Sequence, residues 1–78
     1  SRNEGGPMAT LIKGRKQEEA IAFAQSQYNA VWVNYPNGSC GWEVKGMSDD
    51  QFRHKMLETF CGEAIPGDPH SAGIVTVE

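Results

Sequence analysis

Asn37-Gly38, set between two runs of alternating apolar residues in Ala30–Met47, constrains this chain more than any other pair. Asn-Gly readily takes φ > 0 at both centres of a type I′ turn, so AVWVNYPNGSCGWEVKGM reads as a β-hairpin. With Asn37 and Gly38 as a two-residue loop, Pro36 faces Ser39, Tyr35 faces Cys40, Val33 faces Trp42 and Val31 faces Val44. The opposite face then pairs Asn34 with Gly41, Trp32 with Glu43 and Ala30 with Lys45. On this register Trp42 belongs to the core and Trp32 to an uncovered, mixed face.

The rest of the chain must supply a cover for that apolar face. In Arg15–Tyr28, Ile21, Ala24 and Tyr28 recur at helical spacing, with Ala20 and Phe23 widening the stripe. Lys13, Arg15 and Lys16 stand where this helix begins, against the sign of its dipole. Glu18 and Glu19 compensate on a solvated first turn, and the alternative is an anion-binding helix start at Gly14. Beyond the hairpin, Ser48 and Gln51 form a capping box, Met47 and Phe52 a hydrophobic staple, and Asp49 and Asp50 suit the first turn. Phe52, Met56 and Phe60 repeat every fourth residue with Leu57 and Cys61 beside them, and Gly62 marks the stop. Arg53, His54 and Lys55 fall largely on the outer side, with Asp49–Arg53 and Asp50–His54 as i,i+4 pairs.

Short apolar segments flank these helices. Met8–Lys13 has the length of a strand, and Ile74–Val77 is a β-branched run that reads as a closing strand. Glu63–Ala72, with two prolines and a glycine, reads as a loop. The order β-α-β-β-α-β is that of an α+β, ferredoxin-like domain: a four-stranded antiparallel sheet with two helices on one face. A smaller α-β-β-α unit is the fallback should an outer strand be absent. Ile21, Phe23, Val31, Val33, Trp42, Val44, Phe52, Met56 and Phe60 form the expected core.

Seventy-eight residues allow one domain, taken here as residues 8–78, and bury only about 60% of the unfolded surface. SRNEGGP, residues 1–7, reads as a disordered leader left by cloning ahead of Met8. A net charge of -3 argues against a general nucleic-acid binder. Cys40 and Cys61 make no disulfide framework and read as buried free thiols of a cytoplasmic protein. With His54 and His70 they show no metal-ligand spacing, and no cofactor motif is present, so neither metal nor cofactor is expected.

Three function classes follow. No nucleophile–base pair, carboxylate pair or metal motif supports an enzyme. Strand three, CGWEVKG, departs from the glycine–aromatic pattern of RNA-recognition domains. Single-stranded nucleic acid is the alternative partner, with Trp32 for stacking, Lys45 beside it, and Lys13, Arg15 and Lys16 for phosphates. The preferred reading is a non-enzymatic, protein-binding or self-associating accessory module, such as a regulator or inhibitor, with no membrane attachment. Its expected surface is the uncovered sheet face, with Trp32 at the centre and Asn34, Glu43 and Lys45 around it.

Overall fold

The computed structural model describes residues 9–68 and 71–78. Residues 1–7, expected to be a disordered leader, lie outside the described residues, as do Met8, Pro69 and His70. The elements are β1 (Thr10–Gly14), α1 (Gln17–Tyr28), β2 (Val31–Asn34), β3 (Cys40–Glu43), α2 (Asp49–Thr59), β4 (Gly62–Ile65) and β5 (Gly73–Val77). They build one five-stranded sheet in the order β2-β3-β1-β5-β4.

The four-stranded antiparallel ferredoxin-like sheet does not form, and neither does the smaller α-β-β-α unit. The first half keeps the expected plan, since β3 lies between β1 and β2 and antiparallel to both. The departure comes after α2, where Gly62–Ile65, expected as a helix stop followed by a loop, becomes an outermost strand. The chain then reverses, and β5 returns antiparallel to β4 and parallel to β1, making the sheet mixed. Pro66 ends β4 because it has no N–H for the ladder. Asp68 and Ser71 then close the reversal by exchanging backbone bonds of 3.2 Å in each direction. GEAI has poor strand propensity, so its pairing depends on β5 rather than on its own residues. Gly62 shows the fit: a Cβ there would stand 1.7 Å from the Thr76 carbonyl oxygen.

Both helices lie on one face. α1 packs on β1 and β5, and α2 on β5 and β4. They meet through edge-on contacts of Phe23 with Phe60, 5.5 Å between centroids, and of Tyr28 with Phe52, 6.2 Å. α1 ends at Asn29, whose left-handed backbone turns its N–H onto the Ala24 carbonyl. The expected capping box opens α2: Ser48 Oγ accepts from Gln51 N–H at 3.1 Å, and Ser48 N–H donates to Gln51 Oε1 at 3.2 Å. α2 ends before Gly62, at a Phe60 cap in extended backbone. Ile12, Ala20, Ala24, Ala30, Val44, Phe52, Met56, Val75 and Val77 form the core, and Ile21, Phe23, Trp42 and Phe60 pack around it.

Arg53 sits in this interior rather than outside. Its guanidinium donates to Thr10 Oγ1 at 3.2 Å, pairs with Asp50 and lies where a side chain at Gly73 would be. A buried guanidinium needs such partners, and α2 holds it against the start of β1 and β5. His54 bridges to Glu58 at 3.5 Å instead of to Asp50.

The hairpin turn is longer than expected, and this shifts every pair. Gly38 N–H donates to the Tyr35 carbonyl at 3.0 Å and Tyr35 N–H to the Ser39 carbonyl at 2.8 Å, so Pro36, Asn37 and Gly38 all lie in the loop. Pro36 presets the first turn position, Asn37 keeps a negative φ, and Gly38 alone crosses over, at φ 96°. Trp32 therefore faces Trp42, Val31 faces Glu43, Val33 faces Gly41 and Asn34 faces Cys40. A one-residue slip moves each side chain of β2 to the other face relative to its partners.

Because nothing lies within 4 Å of a Cβ at Gly38, its replacement tests backbone strain alone. Gly38→Ala should lower stability by about 1–2 kcal/mol, and Gly38→Asn by less, in urea unfolding.

Candidate functional site

β2 is an outermost strand, and its exposure is unusual for so apolar a segment. Val31 is 54% exposed on one face and Trp32 46% exposed on the other. Ala30 and Val44, at the end of the same ladder, are buried in the core, which puts Trp32 and Trp42 on the helix-bearing side. Trp42 packs against the core, while Trp32 extends beyond it and meets Trp42 edge-on at 5.4 Å. The principal helix contacts are with β1, β5 and β4, so the aromatic pair occupies the thinly covered end of the sheet.

The backbone of β2 is also directed outward in a definite pattern. Tyr35 bonds Ser39 through its main chain, and bonded and non-bonded pairs alternate along an antiparallel ladder. Val33 and Val31 accordingly turn their N–H and C=O groups toward β3. Trp32 and Asn34 turn theirs to the free edge. Trp32–Trp42 is thus a non-bonded pair, the kind in which side chains approach most closely.

The other edge is defended differently. β4 carries Glu63, starts at Gly62 and is stopped by Pro66, all features that discourage strand addition. Val31–Asn34 has no charge, no proline and no bulge. From Ala20 through Trp42 the chain contains no Asp, Glu, Lys, Arg or His.

The residues expected to form one patch are divided. Trp32 and Asn34 share the helix-bearing side, whereas Glu43 lies opposite Val31 on the other face and accepts from Tyr35 Oη at 3.1 Å. Lys45 is exposed just past the end of β3. Trp42, not Glu43, is the neighbour that enlarges the Trp32 surface, and Val31 stands exposed on the opposite face; the signal was Pro36, which favours a type I turn followed by glycine over a two-residue turn. Lys13, Arg15 and Lys16 are exposed but remote. Thr10 stands opposite Trp42, so Lys13 lies about 10 Å further along β1 and two strands from Trp32. Lys16 N–H is directed to the Val77 carbonyl at 3.5 Å.

On the uncovered face, Leu11, Ile74 and Ile65 form an apolar row across β1, β5 and β4. They floor a depression of about 600 Å³ bordered by Ser39, Cys40, Asp68 and Ser71. Ser71 Oγ donates to Asp68 Oδ1 at 2.9 Å. Among the described residues no group of three His, Cys, Asp or Glu side chains could hold a metal. Both cysteines are free, with Cys40 half-buried and Cys61 exposed rather than buried as expected. The Asp49 carboxyl is pushed up to about 6 from 3.8 by burial, against the lowering influence of Arg53 and with Glu43 and Asp50 adding repulsion.

Among the described residues no helix is long and apolar enough to cross a membrane. No protein-family model, curated protein or solved structure matches the chain.

The Trp32–Trp42 contact should appear in a double-mutant cycle with alanine as a coupling of about 0.5–1.5 kcal/mol. Additivity of the two substitutions would refute the paired register. Asp49 has a folded pKa above its unfolded value, so its contribution is complete below about pH 4 and is lost as pH rises to about 6. Asp49→Asn should flatten that segment of the urea-stability profile, leaving the protein relatively more stable at neutral pH.

Proposed function

We propose that this chain is a small, non-enzymatic association module that binds an extended polypeptide strand along the free edge of β2. The observation that carries this reading is an uncharged outermost strand with both faces half-exposed and the backbone groups of Trp32 and Asn34 directed outward. Strand addition supplies main-chain hydrogen bonds, and pockets beside the strand select alternate side chains. The Trp32–Trp42 pair provides an aromatic anchor on the helix-bearing side, and Val31 an apolar contact on the other. Nucleic acid fits less well, because phosphates require several cations beside the stacking surface, and Lys13, Arg15 and Lys16 stand at the other end of β1, leaving Lys45 past the end of β3.

Asn34→Pro isolates the interaction. It removes one outward N–H without breaking a bond to β3, and proline is tolerated on an edge strand with its nitrogen facing solvent. A displayed library of short random peptides, selected on the parent protein, should yield sequences of alternating apolar residues. Their affinity for Asn34→Pro should fall about tenfold, with little change in melting temperature. Unchanged affinity would overturn the reading, and a steep loss of binding with added salt would favour nucleic acid.

A further inference from the structure

We infer that the strand received by β2 is the β2 of a second copy of this chain, paired antiparallel about a two-fold axis through Val33, an inference that rests on the strand-addition reading. The outward backbone groups define the register. Trp32 and Asn34 each turn one N–H and one C=O to the free edge. When Val33 faces Val33 of the second copy, Trp32 stands opposite Asn34 and Asn34 opposite Trp32, so all of these groups are paired by the same four-residue segment. No other described strand offers an uncharged outer edge of this kind.

The side chains agree with the backbone. Directly opposed residues share a face, so the two sheets continue into one with all helices on the same side. On the other side, Val31 packs against Tyr35 of the second copy beside the central valine pair, which covers the Val31 surface that is 54% exposed in the single chain. Charge also selects this partner. Each copy carries a net charge of -3, but the Asp, Glu, Lys, Arg and His side chains lie outside Ala20–Trp42, and the Glu43 carboxylate is one strand inward and bonded to Tyr35 Oη. Two neutral edges therefore meet without repulsion, whereas a charged strand would find no counter-charge. The seam is short, in the size class below about 1,200 Å² that characterises transient complexes, so the equilibrium should lie in the micromolar range.

Sedimentation of the parent across a concentration series should show reversible dimerisation, weakened at least about tenfold by Asn34→Pro, which removes one bond at each of two symmetric positions. In a background with Cys40 and Cys61 replaced by Ser, Val33→Cys should oxidise to a covalent dimer, because opposed Cα atoms of a non-bonded pair are about 4.5 Å apart. Val31→Cys should not, since its counterpart lies about 13 Å further along the seam. Near-UV circular dichroism confirms that each variant is folded. A parent that stays monomeric at millimolar concentration while strand peptides still bind it, and bind Asn34→Pro poorly, would overturn self-pairing and leave strand addition standing. A dimer unaffected by Asn34→Pro and without the Val33→Cys link would place the contact elsewhere and overturn the inference. Absence of both dimer and peptide binding would overturn both readings.

Discussion

Tyr35 gives its N–H to the Ser39 carbonyl, and the character of the molecule's surface follows from that bond. It admits Pro36 to the loop and decides which residues of β2 face which residues of β3. Through it Trp32 meets Trp42, Val31 lies over the uncovered face, and Trp32 and Asn34 present their backbone to solvent. A turn shorter by one residue would have hidden the valines and left a single tryptophan on the polar side. The difference is small in energy compared with the burial of Phe52 or Met56, yet it determines what a partner can touch.

The far half of the sheet is built on a different constraint. β5 has Val75 and Val77 fully buried beneath both helices, and it lies between β1 and β4. A β-branched strand covered by helices on one face is best stabilised with neighbours on both sides, so the weak strand former Gly62–Ile65 is recruited as its outer partner. Arg53 ties this half together: its guanidinium bonds Thr10 at the start of β1 and fills the space above Gly73 at the start of β5. The two ends of the sheet are therefore unlike. One is closed by Glu63 and Pro66, and the other is left apolar and open.

Charge follows the same division. The Asp, Glu, Lys, Arg and His residues flank a neutral central segment that contains most of α1, all of β2 and the hairpin turn. The charged groups thus lie at the basic start of α1 and around α2, away from the free edge, and the proposed association at β2 would depend on hydrogen bonds and apolar contact with little sensitivity to salt.

What the amino-acid order determined by itself is local. The capping box at Ser48 and Gln51, the helical spacing of Phe52 and Met56, the existence of a hairpin around Asn37-Gly38 and the final β-branched run depend on neighbours a few residues apart, and each forms where the pattern puts it, the register of the hairpin excepted. Tertiary structure decided what local pattern leaves nearly balanced. A two-residue and a three-residue loop are both compatible with Pro36-Asn37-Gly38, and pairing with β1 beside Gly41 accompanies the longer one; a Cβ at Gly41 would approach Thr10 to 3.0 Å. Arg53 looked external because guanidinium is costly to bury, but Thr10, more than forty residues away, and Asp50 supply its partners. Gly62–Ile65 carries no strand signal of its own, since its hydrogen bonds come from β5, which the chain has not yet reached. The parallel pairing of β5 with β1 joins the two ends of the described chain, and only the packed helices bring those ends together.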